Sequence, residues 1–95
     1  MNGRNKMNDE NFKHNLIKDC KVLRWPKKFT EKRIVLEYIS DKIPYNITFS
    51  EKEINEIIIK TIVFDDFVLI RRELIENNYL KRTPDCRKYW RENIN

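Results

Sequence analysis

The 95-residue sequence predicts a mainly helical α+β domain that ends in a β-hairpin. Two observations predict this fold class. Apolar residues recur at helical spacing in successive segments of the chain, and two short strand-like segments near the C-terminus flank the turn formed by residues 83–86. A chain of this length holds one core and has no room for two lobes around a catalytic cleft.

The N-terminal part is predicted to contain an arm and a helix. Residues 1–8 are polar and show no apolar period, which is typical of a disordered arm. A helix is expected over residues 9–24, because its apolar residues repeat at helical spacing: Phe12, Leu16, Ile17, Cys20 and Leu23. Its apolar stripe could dock on the same chain or mediate homodimerisation. The main domain is then expected to span residues 25–95, with Trp25 as a packing anchor.

The next two elements are a central helix and a short strand. Thr30 is a suitable N-cap, and the helix that follows has a broad apolar face ending near Ile43. Pro44 is expected to end this helix. Residues 45–49 are β-prone and predict one small strand.

Two further helices have recognisable starts. Ser50 and Glu53 have capping-box spacing, and the residues after them place Ile54, Ile57, Ile58 and Thr61 on one face. Asp65 can cap a helix over residues 66–77, whose inner face is Phe67, Ile70 and Leu74 and whose stop is Asn77-Asn78.

The segment from residue 79 to residue 91 predicts the C-terminal β-hairpin. Adjacent strand residues point to opposite faces, so one of Tyr89 and Trp90 should pack on the core, and Trp90 is the expected one. The complete order is that of a winged helix-turn-helix domain with an additional N-terminal helix and the hairpin as the wing.

Several sequence blocks between Trp25 and Arg91 resemble those of one family. The blocks are Pro26-Lys27-Lys28, the run from Phe49 to Asn55, the run from Asp65 to Leu74, and Tyr89-Trp90-Arg91. The segment resembles domain-of-unknown-function family 2087 (DUF2087). The resemblance implies a small winged-helix-like domain associated with predicted bacterial transcriptional regulators, without established chemistry. Asn77-Asn78-Tyr79 stands where such domains commonly turn through a glycine.

The net charge of +5 is concentrated toward the two ends of the chain. Basic residues on a wing suit phosphate contacts, because most protein–DNA hydrogen bonds go to the backbone. Double-stranded DNA is therefore the expected partner, and these residues are the candidate contacts: Arg71, Arg72, Arg82, Arg87, Lys88, Arg91, Lys27 and Lys28.

The two arginines of the predicted recognition helix have alternative roles. Arg72 projects outward and could bind guanine or phosphate, or it could pair with Glu76 four residues later. Arg71 lies beside the core face and is expected to hold the wing or an acidic helix start, such as Asp65 or Asp66. Those two aspartates would repel DNA if they faced it.

No pattern in the sequence indicates catalysis. The chain has one histidine, His14, no Gly-rich phosphate loop and no paired metal ligands, so it is predicted not to be an enzyme and to need no cofactor or metal. Cys20 and Cys86 fit no metal or redox spacing and are expected to be free thiols in a soluble cytoplasmic protein without a membrane partner.

A protein-interaction module on the same scaffold is the alternative function, and the sequence does not indicate an effector.

Overall fold

The computed structural model describes residues 16–93, which form three helices and two small antiparallel hairpins. The chain is therefore a mainly helical α+β domain, as predicted. In chain order the elements are β1 (Ile17–Lys18), β2 (Lys21–Val22), α1 (Phe29–Ser40), α2 (Glu51–Thr61), α3 (Phe67–Glu76), β3 (Lys81–Arg82) and β4 (Tyr89–Trp90).

The first hairpin replaces part of the predicted N-terminal helix. Ile17 pairs with Val22 across an antiparallel turn, so the helix predicted over residues 9–24 is wrong from residue 17 onward. Asp19 and Cys20 turn the chain with positive φ angles of 54° and 64°. The hairpin buries Val22 and leaves Cys20 exposed, whereas the predicted helix places Cys20 on its apolar stripe. Residues 1–15, with the predicted arm, the start of that helix and His14, lie outside the described residues.

Helix α1 is shorter than the sequence predicts. It begins at Phe29, with Lys28 rather than Thr30 at the N-cap position and no side-chain cap. It ends at Ser40, four residues before the predicted stop at Pro44. Its buried residues Val35, Leu36 and Ile39 form the centre of the core.

Helix α2 begins with the predicted capping box. The Glu53 backbone N–H donates to Ser50 Oγ at 3.1 Å, and the Ser50 N–H donates to Glu53 Oε1 at 2.8 Å. Its buried face carries Ile54, Ile58 and Thr61, with Ile57 partly buried beside them, which confirms the predicted face.

Helix α3 is capped by Asp66 rather than by Asp65. The Asp66 carboxylate accepts a hydrogen bond from the Leu69 N–H at 3.2 Å, which satisfies one of the unpaired amides of the first turn. The helix stop is confirmed. Asn78 adopts the left-handed region with φ 65°, and the Tyr79 N–H then donates to the Leu74 carbonyl at 2.9 Å.

Strands β3 and β4 form the predicted hairpin, called here the C-terminal hairpin (residues 79–91). Its register pairs Lys81 with Trp90 and Arg82 with Tyr89. Tyr89 is 2% exposed and belongs to the core, so the prediction that Trp90 would fill this position is wrong. Trp90 is partly exposed on the other side of the hairpin.

The predicted strand over residues 45–49 is reduced to two single-residue bridges to β4 and its extension. Phe49 pairs antiparallel with Tyr89, and Tyr45 pairs with Arg91. These bridges hold the C-terminal hairpin beside the segment that connects α1 to α2.

One continuous core joins all of these elements. Trp25 packs against it at the edge, as expected of an anchor for the chain entering α1. Its buried members are Leu16, Val22, Val35, Leu36, Ile39, Ile43, Ile54, Ile58, Ile62, Ile70, Leu74, Leu80 and Tyr89. None of the helices described is long and apolar enough to span a bilayer.

Arg91 connects the C-terminal hairpin to the end of α1. Its Nη1 donates to the carbonyl oxygens of Ser40 at 2.8 Å and Ile43 at 3.3 Å, and its Nη2 lies 3.4 Å from the Asp41 carboxylate. The guanidinium also stacks 4.0 Å from the centre of the Tyr45 ring. The Ser40 carbonyl also accepts from the Ile43 backbone N–H at 2.9 Å, so Arg91 adds a charged donor to the turn that follows the helix.

Arg91→Met is therefore expected to lower the free energy of unfolding by about 2–3 kcal/mol, the loss typical of charged hydrogen bonds to partly buried groups. Urea denaturation measures this difference. Arg87→Met is the matched control, since its side chain is 84% exposed, and it should change stability by less than about 0.5 kcal/mol. Equal midpoints for the two variants would contradict the structural role of Arg91.

Candidate nucleic-acid interface

The register of the C-terminal hairpin divides its basic side chains between two sides. Paired residues across an antiparallel ladder share a face, and neighbours along a strand alternate. Arg82 therefore shares the helix-facing side with Tyr89, while Lys81 shares the opposite side with Trp90. The side with Arg82 and Tyr89 borders the outer residues of α3.

A groove lies between α3 and the C-terminal hairpin and has a volume of about 240 Å³. We call it the helix–hairpin groove. Arg72 lines it from the helix and Arg82 lines it from the hairpin, so cations from two separate elements meet there. The complete lining is Val68, Arg71, Arg72, Ile75, Glu76, Arg82, Cys86 and Tyr89.

Arg72 and Arg82 both have donors available in this groove. Arg72 is exposed and makes no hydrogen bond or ion pair with any residue that the structure describes, including Glu76. Arg82 uses Nη1 to donate to the Thr83 carbonyl at 3.2 Å and to Cys86 Sγ at 3.0 Å. Its Nε and Nη2 groups have no partner within residues 16–93.

Arg71 holds an acidic helix start, but not one of the two expected aspartates. Its Nη2 lies 3.3 Å from the Glu51 carboxylate at the start of α2, and its Nη1 donates to Asn55 Oδ1. The side chain is only 18% exposed. Arg71 therefore ties α3 to α2, and its charge is balanced within the protein.

Arg91 is likewise occupied internally. Its side chain is 15% exposed and is engaged at the end of α1, so the structure separates it from the other candidate contacts. Lys27 and Lys28 are exposed between β2 and α1, and neither lines the helix–hairpin groove. These three residues are not brought to the groove by the fold.

Arg87 and Lys88 are exposed beside the turn of the C-terminal hairpin. Asp85 organises this turn. Its carboxylate accepts hydrogen bonds from the Thr83 hydroxyl at 2.5 Å and from the Arg87 backbone N–H at 3.1 Å. The Thr83 hydrogen bond, followed by that from Arg87, lowers the pKa of Asp85 below its ordinary value of 3.8.

The matching family model covers the elements that form this site. Residues 21–91 match the model described as "Uncharacterized protein conserved in bacteria (DUF2087)". The chain belongs to the DUF2087 family. The matched segment contains all three described helices and the complete C-terminal hairpin, which confirms the family resemblance noted in the sequence. Searches among curated proteins and among solved structures found no match to this chain.

The opposite side of the hairpin in this DUF2087 chain carries Lys81 and Lys88 beside Trp90. Lys81 Nζ lies 2.8 Å from the Glu92 carboxylate, and this hydrogen bond is the main reason that the pKa of Glu92 is lowered. Both cysteines are free, as expected, and Cys86 lines the groove. Within α3 and the C-terminal hairpin, the cations without a close carboxylate partner are therefore Arg72 and Arg82 in the groove and Lys88 near the turn, with Arg87 only loosely paired at 3.9 Å from Asp85.

The lowered pKa of Asp85 predicts how acid affects the turn. Because folding favours the carboxylate, its contribution to turn stability is present above pH 3.8 and is lost as the pH falls through the lower folded-state value. An NMR titration of the Arg87 amide should show a midpoint below 3.8. Asp85→Asn is the control and should abolish this transition. A midpoint at or above the ordinary value would show that the carboxylate does not organise the turn.

Proposed function

We propose that this domain binds double-stranded DNA as a winged helix-turn-helix module of a bacterial transcriptional regulator. In this assignment α2 and α3 form the helix-turn-helix, α3 faces the major groove and the C-terminal hairpin is the wing. The observation that carries the proposal is the helix–hairpin groove, because Arg72 of α3 and Arg82 of the hairpin both open onto it. The DNA-facing surface would thus include both elements.

Backbone contact is the main mode of binding that these side chains support. Arg82, Arg87 and Lys88 are exposed on the hairpin, with Arg82 in the groove and Lys88 on the side of Trp90. They can neutralise phosphates without precise alignment to base edges. Neutralising each phosphate releases counterions, which favours binding at low salt. Arg72 is the one exposed cation of α3 available to a base edge, since Arg71 is paired with Glu51.

The acidic start of α3 constrains how the helix approaches DNA. Asp66 is occupied as the N-cap, and Asp65 is exposed beside it. The DNA phosphates would repel these two carboxylates, which disfavours insertion of the helix N-terminus into the major groove. We therefore infer that the middle of α3, at Arg72, approaches the duplex together with the hairpin. The domain acts in this proposal by binding in the cytoplasm and not by catalysis.

Equilibrium binding to a short labelled duplex, measured by fluorescence anisotropy over a series of salt concentrations, tests the proposal. The logarithm of the association constant should fall linearly with the logarithm of salt concentration. Replacing Arg82, Arg87 and Lys88 together by alanine should weaken binding and reduce the slope by about 2–3, since each lost phosphate contact removes about 0.9.

The control replaces Lys52 and Lys60, two exposed lysines on the outer face of α2, by alanine, and its loss of affinity is compared per charge removed. This variant should lose much less affinity than the hairpin variant. Equal losses of DNA affinity for the two variants would show that the hairpin is not part of the interface. A wild-type protein that does not bind duplex DNA would refute the proposed function.

A protein-interaction module is the second candidate, and the exposed apolar part of α3 favours it. Val68 is 42% exposed and lines the groove beside Ile75. If the domain binds a protein there, Val68→Asp should abolish capture of that partner from a lysate of the source bacterium, and the purified protein should not bind nucleic acid.

Homodimerisation also stays a prediction, although residues 17–22 form a hairpin and not the expected dimerisation helix.

A further inference from the structure

We propose that the helix–hairpin groove binds a single phosphate group of the DNA backbone, held jointly by Arg72, Arg82 and the hydroxyl of Tyr89. The inference rests on the proposed DNA binding and assigns one chemical group to one place in the interface. It makes a core residue, Tyr89, part of the binding surface.

Tyr89 places a phenol hydroxyl at the groove. The residue is 98% buried, since only 2% of its surface is exposed, yet its hydroxyl has no hydrogen-bond partner among residues 16–93. In the same part of the chain, no fully buried side-chain polar atom lacks a partner. The hydroxyl must therefore reach solvent, and Tyr89 lines the helix–hairpin groove. A buried phenol with a free O–H at a groove is a donor without an acceptor.

The protonation state of Tyr89 suits an anionic ligand. Burial raises the pKa of Tyr89 above its ordinary value of 10.0. The hydroxyl therefore remains protonated throughout the neutral range and can donate to an oxyanion.

The charges around the groove favour a single negative charge. Arg72 and Arg82 contribute two cations, Glu76 contributes one carboxylate, and Arg71 is balanced by Glu51. The remaining excess of one positive charge matches a phosphodiester, which carries one negative charge. A free phosphate dianion would leave a surplus of negative charge beside Glu76. The groove therefore fits the backbone of a nucleic acid better than free phosphate.

Binding by two elements has a geometric consequence. Arg72 extends from α3 and Arg82 from the C-terminal hairpin, so one phosphate held by both would fix the position of the helix relative to the strand. Such a contact sets the register in which the outer face of α3 meets the bases.

A double-mutant cycle on DNA affinity tests this assignment with the full chain. Arg72→Ala, Arg82→Ala and the double variant are compared for binding to a short duplex over a series of salt concentrations. Because both side chains bind one phosphate, the double variant should lose less affinity than the product of the two single losses. Its salt slope should fall by about 0.9, whereas loss of two separate phosphates would remove about 1.8.

The matched control is the cycle between Arg72 and Arg87. Arg87 lies at the hairpin turn and does not line the groove. The factors by which Arg87→Ala and Arg72→Ala lower DNA affinity should therefore multiply in the double variant. Tyr89→Phe adds an independent readout. It should weaken DNA binding about three- to tenfold, the range of one hydrogen bond, in wild type but not in the Arg72/Arg82 double variant. Its melting temperature should match that of wild type, because the hydroxyl has no partner within the described part of the protein.

The possible results distinguish binding of one shared phosphate in the groove from DNA binding by the domain as a whole. Multiplicative losses for Arg72 and Arg82 with a slope change near 1.8 would overturn the shared phosphate while DNA binding stands. Displacement of DNA by inorganic phosphate beyond that by chloride at equal ionic strength would assign the groove to free phosphate instead. Absence of any DNA binding by the wild-type protein would overturn both proposals.

Discussion

The burial of Tyr89 is the interaction on which the arrangement of the candidate site depends. The ring enters the core from β4, and its backbone exchanges two hydrogen bonds with Phe49, at 2.7 and 2.8 Å. Two residues later, Arg91 binds the carbonyl groups at the end of α1. Strand β4 is thus attached to the core, to the segment before α2 and to α1. The hairpin is therefore docked beside α3, and the helix–hairpin groove exists because of that docking.

Features that depend on neighbouring residues could be predicted from the sequence. The capping box of Ser50 and Glu53, the stop at Asn77-Asn78 and the C-terminal hairpin all follow from local hydrogen bonding and backbone preference. The N-terminal hairpin could not be predicted in the same way. Asp19 and Cys20 make its turn without a glycine, and the surrounding apolar spacing imitates a helix. Asp66 and Asp65 are adjacent possible caps, and spacing alone does not choose between them.

The candidate site was only partly predictable because two of the candidate arginines bind residues that are distant from them in the sequence. Arg71 binds Glu51 and Asn55 in the preceding helix, and Arg91 reaches back to residues 40–43. Nothing local distinguishes these two arginines from Arg72 and Arg82. Alternation along β4 places Tyr89 and Trp90 on opposite faces but does not say which face meets the core. That depends on how the hairpin docks, with Tyr89 paired to Arg82 and Trp90 paired to Lys81. The 20 Lys and Arg residues therefore overstate the cations available to a partner, since Arg71, Lys81 and Arg91 are paired with carboxylates of the same chain.

In the proposed complex, α3 and the C-terminal hairpin present their free arginines to one DNA backbone. The most direct measurement is NMR of the arginine side-chain Nε–Hε groups in the ¹⁵N-labelled protein during titration with duplex DNA. If both arginines bind one backbone, the Arg72 and Arg82 signals shift together and saturate at the same DNA concentration, while the internally bound Arg91 signal stays in place. Arg24 and Arg33 lie outside the groove, within 4 Å of Glu31 and Glu37 respectively. Shifts confined to these two arginines, or no shift in any arginine, would show that the groove does not bind DNA.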